Sequence, residues 1–456
     1  MSIKQLWSDL VIPSPILDYS IDYPSAKHGS PQEGVGWVVQ GWVLLRPRVY
    51  PKNTACRPYL SVKLNEYLIR YIPLDRARPD VIDERLVTRS LAVKQAQRHC
   101  GFRLVLPLSG HKLSLKLHLR EQSYELTKLE LPVQTPNSNV AKLKVLKGAD
   151  DWLFLDNDTN FSVDQHSGLL GLSDSSLKRW QKYLDDWQTE VGALGAKALF
   201  LIAPTKESVL AQYHPYKKAQ KALFDPVFQK MPAAMYLHPV EELRAVGGAT
   251  FYKTDTHWTH QGAQITTCLV AQRLGLDSDK VNAVFAKDKY ITKAHTGDLG
   301  NKLTPPCAQP ADFLIGFSYR PWVIYDNGLQ NMGRMIVMEY EKALVDSTCL
   351  IFGSSSSYSL FSFICRLFKR IVFVHTAGNV DKALVEKIKP DYFIAQTNAR
   401  FMIRPPSFNY DVLTIIKNKQ KNTSVEQQEN QRKNTIFDER KKALFQGLGL
   451  NEYMVL

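Results

Sequence analysis

The sequence predicts an α/β domain, a parallel sheet with flanking helices, preceded by an N-terminal all-β sandwich domain. Three observations predict it. Apolar and polar residues alternate with a period of two through much of the stretch before residue 135. From residue 146 onward, apolar runs of strand length alternate with segments of helical period. Gly, Pro and Asn punctuate both regions at short intervals, which keeps the connections tight.

In KLSLKLHLR, Leu113, Leu115, Leu117 and Leu119 share one face of an extended chain, and polar or basic residues take the other. Tyr124, Leu126, Leu129, Leu131 and Val133 resume the pattern. Earlier strands are expected at 35–45, 59–74 and 101–108, and short, closely spaced strands suit a sandwich of the immunoglobulin-like general type. The polar segment 134–142 reads as a linker, which places the first domain at 1–135 and the second at 146–416. In the second, Leu177, Trp180, Leu184, Trp187, Val191 and Leu194 fall three or four apart, one face of a helix that Ser173 is placed to cap. Buried strands are expected at 197–203, 348–353, 370–375 and 391–397. Helices are expected through 262–275, through Leu360, Phe361, Ile364, Leu367 and Phe368, and at 381–388. Strands alternating with helices imply a parallel sheet covered on both faces. The last region, 417–456, reads as a polar mobile segment to about 436 followed by a C-terminal helix.

A hydrophobic fraction of 44% with 22% charged residues is that of an ordinary globular chain. No apolar stretch nears the ~18 residues of a membrane-spanning helix. The first residues lack the basic and apolar regions of a signal peptide, so a cytoplasmic location is expected. Cys56, Cys100, Cys268, Cys307, Cys349 and Cys365 form no CxxC pair and no His/Cys cluster, so reduced thiols and no metal are expected. The net charge of +14 suits an anionic polysaccharide, a nucleotide-bearing donor or an acidic membrane surface. The basic residues are dispersed and form no nucleic-acid module, so no nucleic acid is expected as partner.

In open α/β sheets, reactive groups gather at the carboxyl ends of strands. Three stretches qualify: IAPTKESV (202–209), YKTDTHWTHQGA (252–263) and CLIFGSSSSYSLF (349–361). Asp255 and His257, two residues apart before a helix, suit a carboxylate that fixes one tautomer of an imidazole facing a nucleophile. His260 is a competing base, and Tyr252 and Trp258 read equally well as core. Gly353, at the end of a buried strand, permits a sharp turn that exposes a following serine beside backbone amides able to hold an oxyanion. The same serine run reads equally as a helix N-cap.

Taken in order, the chain carries LKGADDWLFLDND (146–158), APTK (203–206), DTHW (255–258), GDLGNKL (297–303), the strand–Gly–Ser turn and PDYFIAQTNARF (390–401). In this series it resembles the alginate O-acetyltransferase group of SGNH-like proteins, periplasmic enzymes that acetylate alginate and related exopolysaccharides. The resemblance implies an SGNH-like α/β fold in which Asp-x-His precedes the serine, the reverse of ordinary SGNH esterases. It implies His257 as general base, Asp255 as its orienting carboxylate and Ser355 as nucleophile, with Phe368 ending the following helix. The family motif has Asp or Thr where this chain has Ser354, and Ser356 and Ser357 remain alternatives. Asn398 and Arg400 are expected to bind substrate or steady the oxyanion, and Lys206 to meet an anionic substrate.

The expected function is O-acetyl transfer to a polysaccharide or its precursor through a serine acyl-enzyme, without a cofactor. The acyl donor is expected to be acetyl-CoA or an acyl-carrying partner protein, and the resemblance adds the periplasm as the alternative location. Two other readings are a carbohydrate esterase and a non-catalytic glycan-binding or assembly protein. In the last, Trp37 and Trp42 stack on sugar rings; their separation of five puts them on opposite faces of a regular strand, so at least one belongs to the core.

Overall fold

A computed structural model of the protein describes residues 14–24, 32–33, 36–49, 57–64, 67–107, 112–131, 145–422, 431 and 433–453. The chain divides into two compact units: 1–143 with 157–159 and 169–173, and 144–156 with 160–168 and 174–456. The expected linker at 134–142, Cys56, Val133 and the 423–430 part of the expected mobile segment lie outside the described residues.

The first unit holds two antiparallel sheets. In one, β3 (Gly36–Leu45) pairs with β1 (Ile16–Tyr23), β2 (Gln32–Glu33) and β6 (Gly101–Pro107). The other runs in the order β11 (Leu170–Leu172), β5 (Leu68–Pro73), β4 (Tyr59–Leu64), β7 (Lys112–Leu119) and β8 (Gln122–Glu130). The four leucines of β7 are buried while Lys112 and Lys116 are exposed, as period two requires. Leu126 and Leu129 break that period, and the pairing of β7 with β8 slips between Leu115 and Lys116 to accommodate them. The stretch 59–74 is a hairpin of two strands rather than one. Two short helices, Pro79–Arg85 and Leu91–Ala96, were not expected; each is too short to display a helical period. Trp42 packs with Val81, Ile82 and Leu86 in a core cluster. Trp37 and Trp42 are only 9% and 5% exposed, so neither is open to stack on a sugar.

The second unit is built on an eight-stranded sheet. Its order is β13 (Tyr236–Leu237), β12 (Lys197–Ala203), β20 (Tyr392–Asn398), β18 (Val345–Gly353), β19 (Phe368–His375), β17 (Met335–Glu339), β16 (Val323–Asp326) and β21 (Ile436–Phe437). The first five are parallel; β17, β16 and β21 are added antiparallel, so the sheet is mixed rather than parallel throughout. Antiparallel neighbours need no crossover helix, so the strand–helix alternation that betrayed the parallel strands is missing here. Two small hairpins lie outside it: β9 (Val145–Lys147) with β10 (Leu153–Leu155), before the sheet in sequence, and β14 (Tyr290–His295) with β15 (Gln309–Leu314), between β13 and β16.

Helix Asp174–Gly192 buries Trp180, Leu184 and Trp187 as expected, and Tyr183 beside them; Leu194 lies past its end. Helix His260–Arg273 begins two residues before the expected start because the Thr259 hydroxyl accepts the Gly262 amide at 3.1 Å. The helix expected to run through Phe368 is instead a 3₁₀ turn, Ser355–Leu360, and a single α-turn, Phe361–Ile364; Phe368 opens β19. Residues 417–422 extend helix Val412–Asn422, β21 closes the sheet edge, and Lys442–Gly447 is the C-terminal helix. The five described cysteines are free thiols. Among the described residues no helix is long and apolar enough to cross a membrane.

The turn after β18 is braced by Arg366. Its Nε donates to the Ser362 carbonyl at 2.9 Å, its terminal nitrogens grip Asp288 at 2.7 and 2.8 Å, and its guanidinium lies 4.6 Å from the Phe285 ring centre. Removing one partner strands a buried charge. Arg366→Ala is expected to lower unfolding free energy by about 3–5 kcal/mol, measured by urea titration. Arg366→Met combined with Asp288→Leu is expected to recover most of that loss, because the desolvation cost goes with the charges.

Candidate active site

Three parallel strands deliver the site. β12 and β20 end in register, Ala203 opposite Asn398, and β18 lies on the other side of β20. Beyond their carboxyl ends come Lys206 and Glu207, Asn398 and Arg400, and Ser355 respectively.

Gly353 ends β18 where a Cβ would stand 2.2 Å from the Ser357 hydroxyl and 2.7 Å from Phe373, so no larger residue fits the turn. Gln396, fully buried on β20, gathers the turn from below. Its Oε1 accepts the Ser354 amide at 2.7 Å, the Ser354 hydroxyl at 3.0 Å and the Ser357 hydroxyl at 2.7 Å. Ser354 also accepts the Ser356 amide, and the Ser356 carbonyl takes the Trp258 indole N–H at 3.2 Å. Ser354, Ser356 and Ser357 are buried; Ser355 alone of the four is half-exposed. Its Oγ lies 3.1 Å from His257 Nε2. Of the serines left open by the sequence, Ser355 is therefore the one the structure brings to the imidazole. His260 bonds through Nδ1 to the Tyr252 hydroxyl at 3.2 Å and packs near Phe313 and Phe363.

Asp255 fixes the imidazole. Its Oδ1 accepts both the His257 ring Nδ1–H, at 2.7 Å, and the His257 amide, at 2.8 Å. With Nδ1 holding the proton, Nε2 is left as an acceptor facing Ser355. Oδ2 accepts the Asp298 amide at 2.9 Å, and His295 Nε2 lies 3.4 Å away. Gly297 makes that approach possible: its φ is +64°, and a Cβ would fall 2.5 Å from both Asp255 Cβ and the Thr254 carbonyl. Asp298 in turn holds Thr256 by its amide at 2.7 Å and its hydroxyl at 2.5 Å.

Lys206 lines the same cleft as Ser355, with its ammonium bound to backbone. It is 3% exposed, and its ammonium donates to the carbonyls of Tyr252, Lys253 and Asp255 at 3.1, 3.2 and 2.8 Å. All three N–H bonds are spent on the loop that carries Asp255 and His257, so it holds that loop. Burial pulls its pKa down to about 7 against the charges of Asp298, Asp255 and Glu207. Three carbonyl acceptors match the charged form, since a neutral amine has only two N–H groups.

Asn398 accepts the Arg400 amide at 3.1 Å through Oδ1, which turns its Nδ2 toward Ser356 Oγ, 3.5 Å away. The Arg400 carbonyl takes Gln165 Nε2 at 3.0 Å. Ser355, His257, Asn398, Arg400, Thr256, Glu207, Leu155 and Phe401 line one cleft. Asp255, His257 and Asp298 also bring three ligand-type atoms within 4.8 Å of one another. The Asp255 and Asp298 carboxylates there already meet N–H and O–H donors, an arrangement suited to handling a proton. The sequence reading missed the roles of Asp298, Thr256 and Gln396, and the place of Glu207 in the cleft. Gln396 was detectable as the polar break in the apolar run YFIAQT, and Asp298 from its place in GDLG.

Charges follow the geometry. Burial alone raises a carboxyl, but the bonds from the His257 ring and amide and from the Asp298 amide hold Asp255 below the usual carboxylate range. Burial alone lowers His257, but its bond to Asp255 and the charges of Asp255 and Asp298 outweigh it, so the imidazole sits above its ordinary 6.5.

Residues 145–315 match the family model of the SGNH hydrolase-like domain of the acetyltransferase AlgX. That segment includes Lys206, Asp255, His257 and Asp298 and ends before Ser355. The chain is thus similar to the alginate O-acetyltransferase group that the motifs implied. The chain is 24% identical over 175 residues to a probable alginate O-acetylase AlgJ of Pseudomonas fluorescens, covering 35% of this chain and 41% of that protein. It is 26% identical over 176 residues to the probable alginate O-acetylase AlgJ of Pseudomonas putida, covering 36% and 43%. The match thus spans about two fifths of the length of these curated relatives. Among solved structures, Bacillus cereus PatB1 with a sulfonyl adduct aligns at 12% identity and a TM-score of 0.44, over 59% of this chain and 98% of that one. The O-acetyltransferase domain of Pseudomonas putida AlgJ aligns at 16% identity and a TM-score of 0.35, over 61% and 100%.

Two outcomes are expected from this geometry. His257, followed by NMR titration, titrates above 6.5, and Asp255→Asn moves the midpoint downward, because burial remains once the opposing charge is gone. Lys206→Met leaves three carbonyls without their donor and costs about 2–3 kcal/mol or more in unfolding free energy, measured by denaturant titration.

Proposed function

We propose that the second unit is a serine O-acetyltransferase that moves an acetyl group through Ser355 to a hydroxyl of a polysaccharide or its precursor. The observation that carries this reading is the His257 Nε2–Ser355 Oγ contact of 3.1 Å, with Nδ1 already engaged by Asp255. A bare Nε2 facing a half-exposed serine hydroxyl is the arrangement a general base needs.

In the proposed reaction His257 takes the Ser355 proton as Oγ attacks the acyl carbonyl, and the resulting imidazolium is stabilised by Asp255. The Ser355 amide and the Asn398 side chain are the donors for the oxyanion, each worth about 3 kcal/mol in comparable sites. Arg400 shapes the same cleft. His257 then returns the proton to the leaving group. An acceptor hydroxyl repeats the sequence in reverse and frees Ser355. If water takes that place the enzyme is an esterase, and the same residues keep the same roles. The alginate O-acetylase names of the relatives support a sugar acceptor. The two sheets of the first unit are proposed to pack as a sandwich, joined by the bond from the Tyr19 hydroxyl to the Leu126 carbonyl at 2.7 Å.

The test is the pre-steady-state release of p-nitrophenol from p-nitrophenyl acetate. The parent is expected to give a burst of one equivalent, and Ser355→Ala and His257→Ala to lose it with a rate drop of about 10⁴ or more. The burst rate is expected to rise with pH through a midpoint above 6.5, since only neutral His257 accepts the proton. Asn398→Ala is expected to slow acylation about 10²-fold while leaving the burst amplitude. A full burst in Ser355→Ala would sink the assignment.

A further inference from the structure

The proposed reaction leaves one charged side chain of the cleft without a task. Glu207, in the first turn after β12, lines the same cleft as Ser355 and His257. It is half-buried, and its carboxyl accepts hydrogen bonds from its own backbone amide and from the Thr205 side chain. A carboxylate has room for about four such bonds, so beside these two it can accept a further donor from a ligand in the cleft. Its backbone is rigidly placed, because the adjacent Lys206 is tied to three carbonyls of the Asp255 loop.

The position restricts what Glu207 can meet. The acyl carbonyl develops negative charge and is served by N–H donors, so a carboxylate aimed at it would repel the transition state. The incoming nucleophile is the other partner, and a sugar differs from water in offering a second hydroxyl beside the one that reacts. We propose that Glu207 is the acceptor-positioning residue, taking a hydrogen bond from a sugar hydroxyl adjacent to the hydroxyl that attacks. This rests on Ser355 carrying the acyl group.

The chemistry balances without Glu207 moving a proton. The acceptor oxygen bonds to the acyl carbon as its proton passes to His257 Nε2. The tetrahedral intermediate collapses, the bond from Ser355 Oγ to the acyl carbon breaks, and His257 returns the proton to Oγ. Glu207 fixes which hydroxyl reaches the carbon, and so favours transfer over hydrolysis. Burial raises its carboxyl above the ordinary value, with the Arg400 charge acting against that rise. A protonated fraction would still bond a hydroxyl.

The test acylates the full chain with p-nitrophenyl acetate and divides the product between methyl mannopyranoside and ethanol as competing acceptors. The parent is expected to favour the sugar. Glu207→Gln is expected to lose about ten-fold of that preference, with Ser355 acylation and transfer to ethanol within two-fold of the parent. Glu207→Asp is expected to restore part of the preference. An unchanged preference in Glu207→Gln would overturn the inference. So would a parallel fall in acylation and in both transfers, which would mark a structural role. Failure of the parent to acylate at Ser355 would instead overturn the proposed function on which the inference rests.

Discussion

The Asp255 carboxylate and its N–H donors are the constraint on which the rest of the site depends. Two of those donors belong to His257, one from its ring and one from its backbone, so the carboxylate sets both the tautomer and the position of the imidazole. The third belongs to Asp298, whose own carboxylate returns to hold Thr256 between the two. Lys206, from the turn after β12, anchors the same loop through backbone carbonyls. The loop's carboxylate and imidazole, with the Lys206 ammonium that holds its backbone, form a closed set of bonds with one ring nitrogen left over. That nitrogen faces Ser355. Gly297 is the sequence requirement for this closure, because any Cβ there would occupy the space of Asp255.

The serine side is built by different means. Gln396 takes no part in the proposed chemistry, yet its single carbonyl oxygen collects the Ser354 amide and the Ser354 and Ser357 hydroxyls. Three of four consecutive serines are thereby buried, and the fourth is left facing the cleft. Ser354 takes the place where the family motif has Asp or Thr, and it fills an N-cap role by accepting the Ser356 amide. The expected long helix is absent, so the macrodipole it would have supplied is small; in the proposed reaction the electrostatic work falls to local amides.

The parallel core was legible because β12, β18, β19 and β20 are apolar runs set apart by helices and turns. The antiparallel strands β16 and β17 were not, since nothing in their flanks distinguishes a hairpin edge from a loop. Asp255, His257 and Ser355 were legible as motifs in series, not from their spacing: 98 residues separate the imidazole from the serine in the chain. Lys206 was singled out for its charge and proved to be spent on backbone carbonyls, a use that composition cannot reveal. Trp37 and Trp42 illustrate the same limit. Alternation put them on opposite faces, but both are covered, Trp42 by two helices too short to be read in advance.

Every step of the proposed reaction depends on Ser355 Oγ being the atom acylated. The most direct measurement treats the protein with a sulfonyl fluoride and locates the adduct by peptide mass spectrometry, in the parent and in His257→Ala. One adduct is expected, on Ser355, formed far more slowly when His257 is lost. An adduct on Ser356 or Ser357, or labelling of Ser355 at an equal rate without His257, would contradict it.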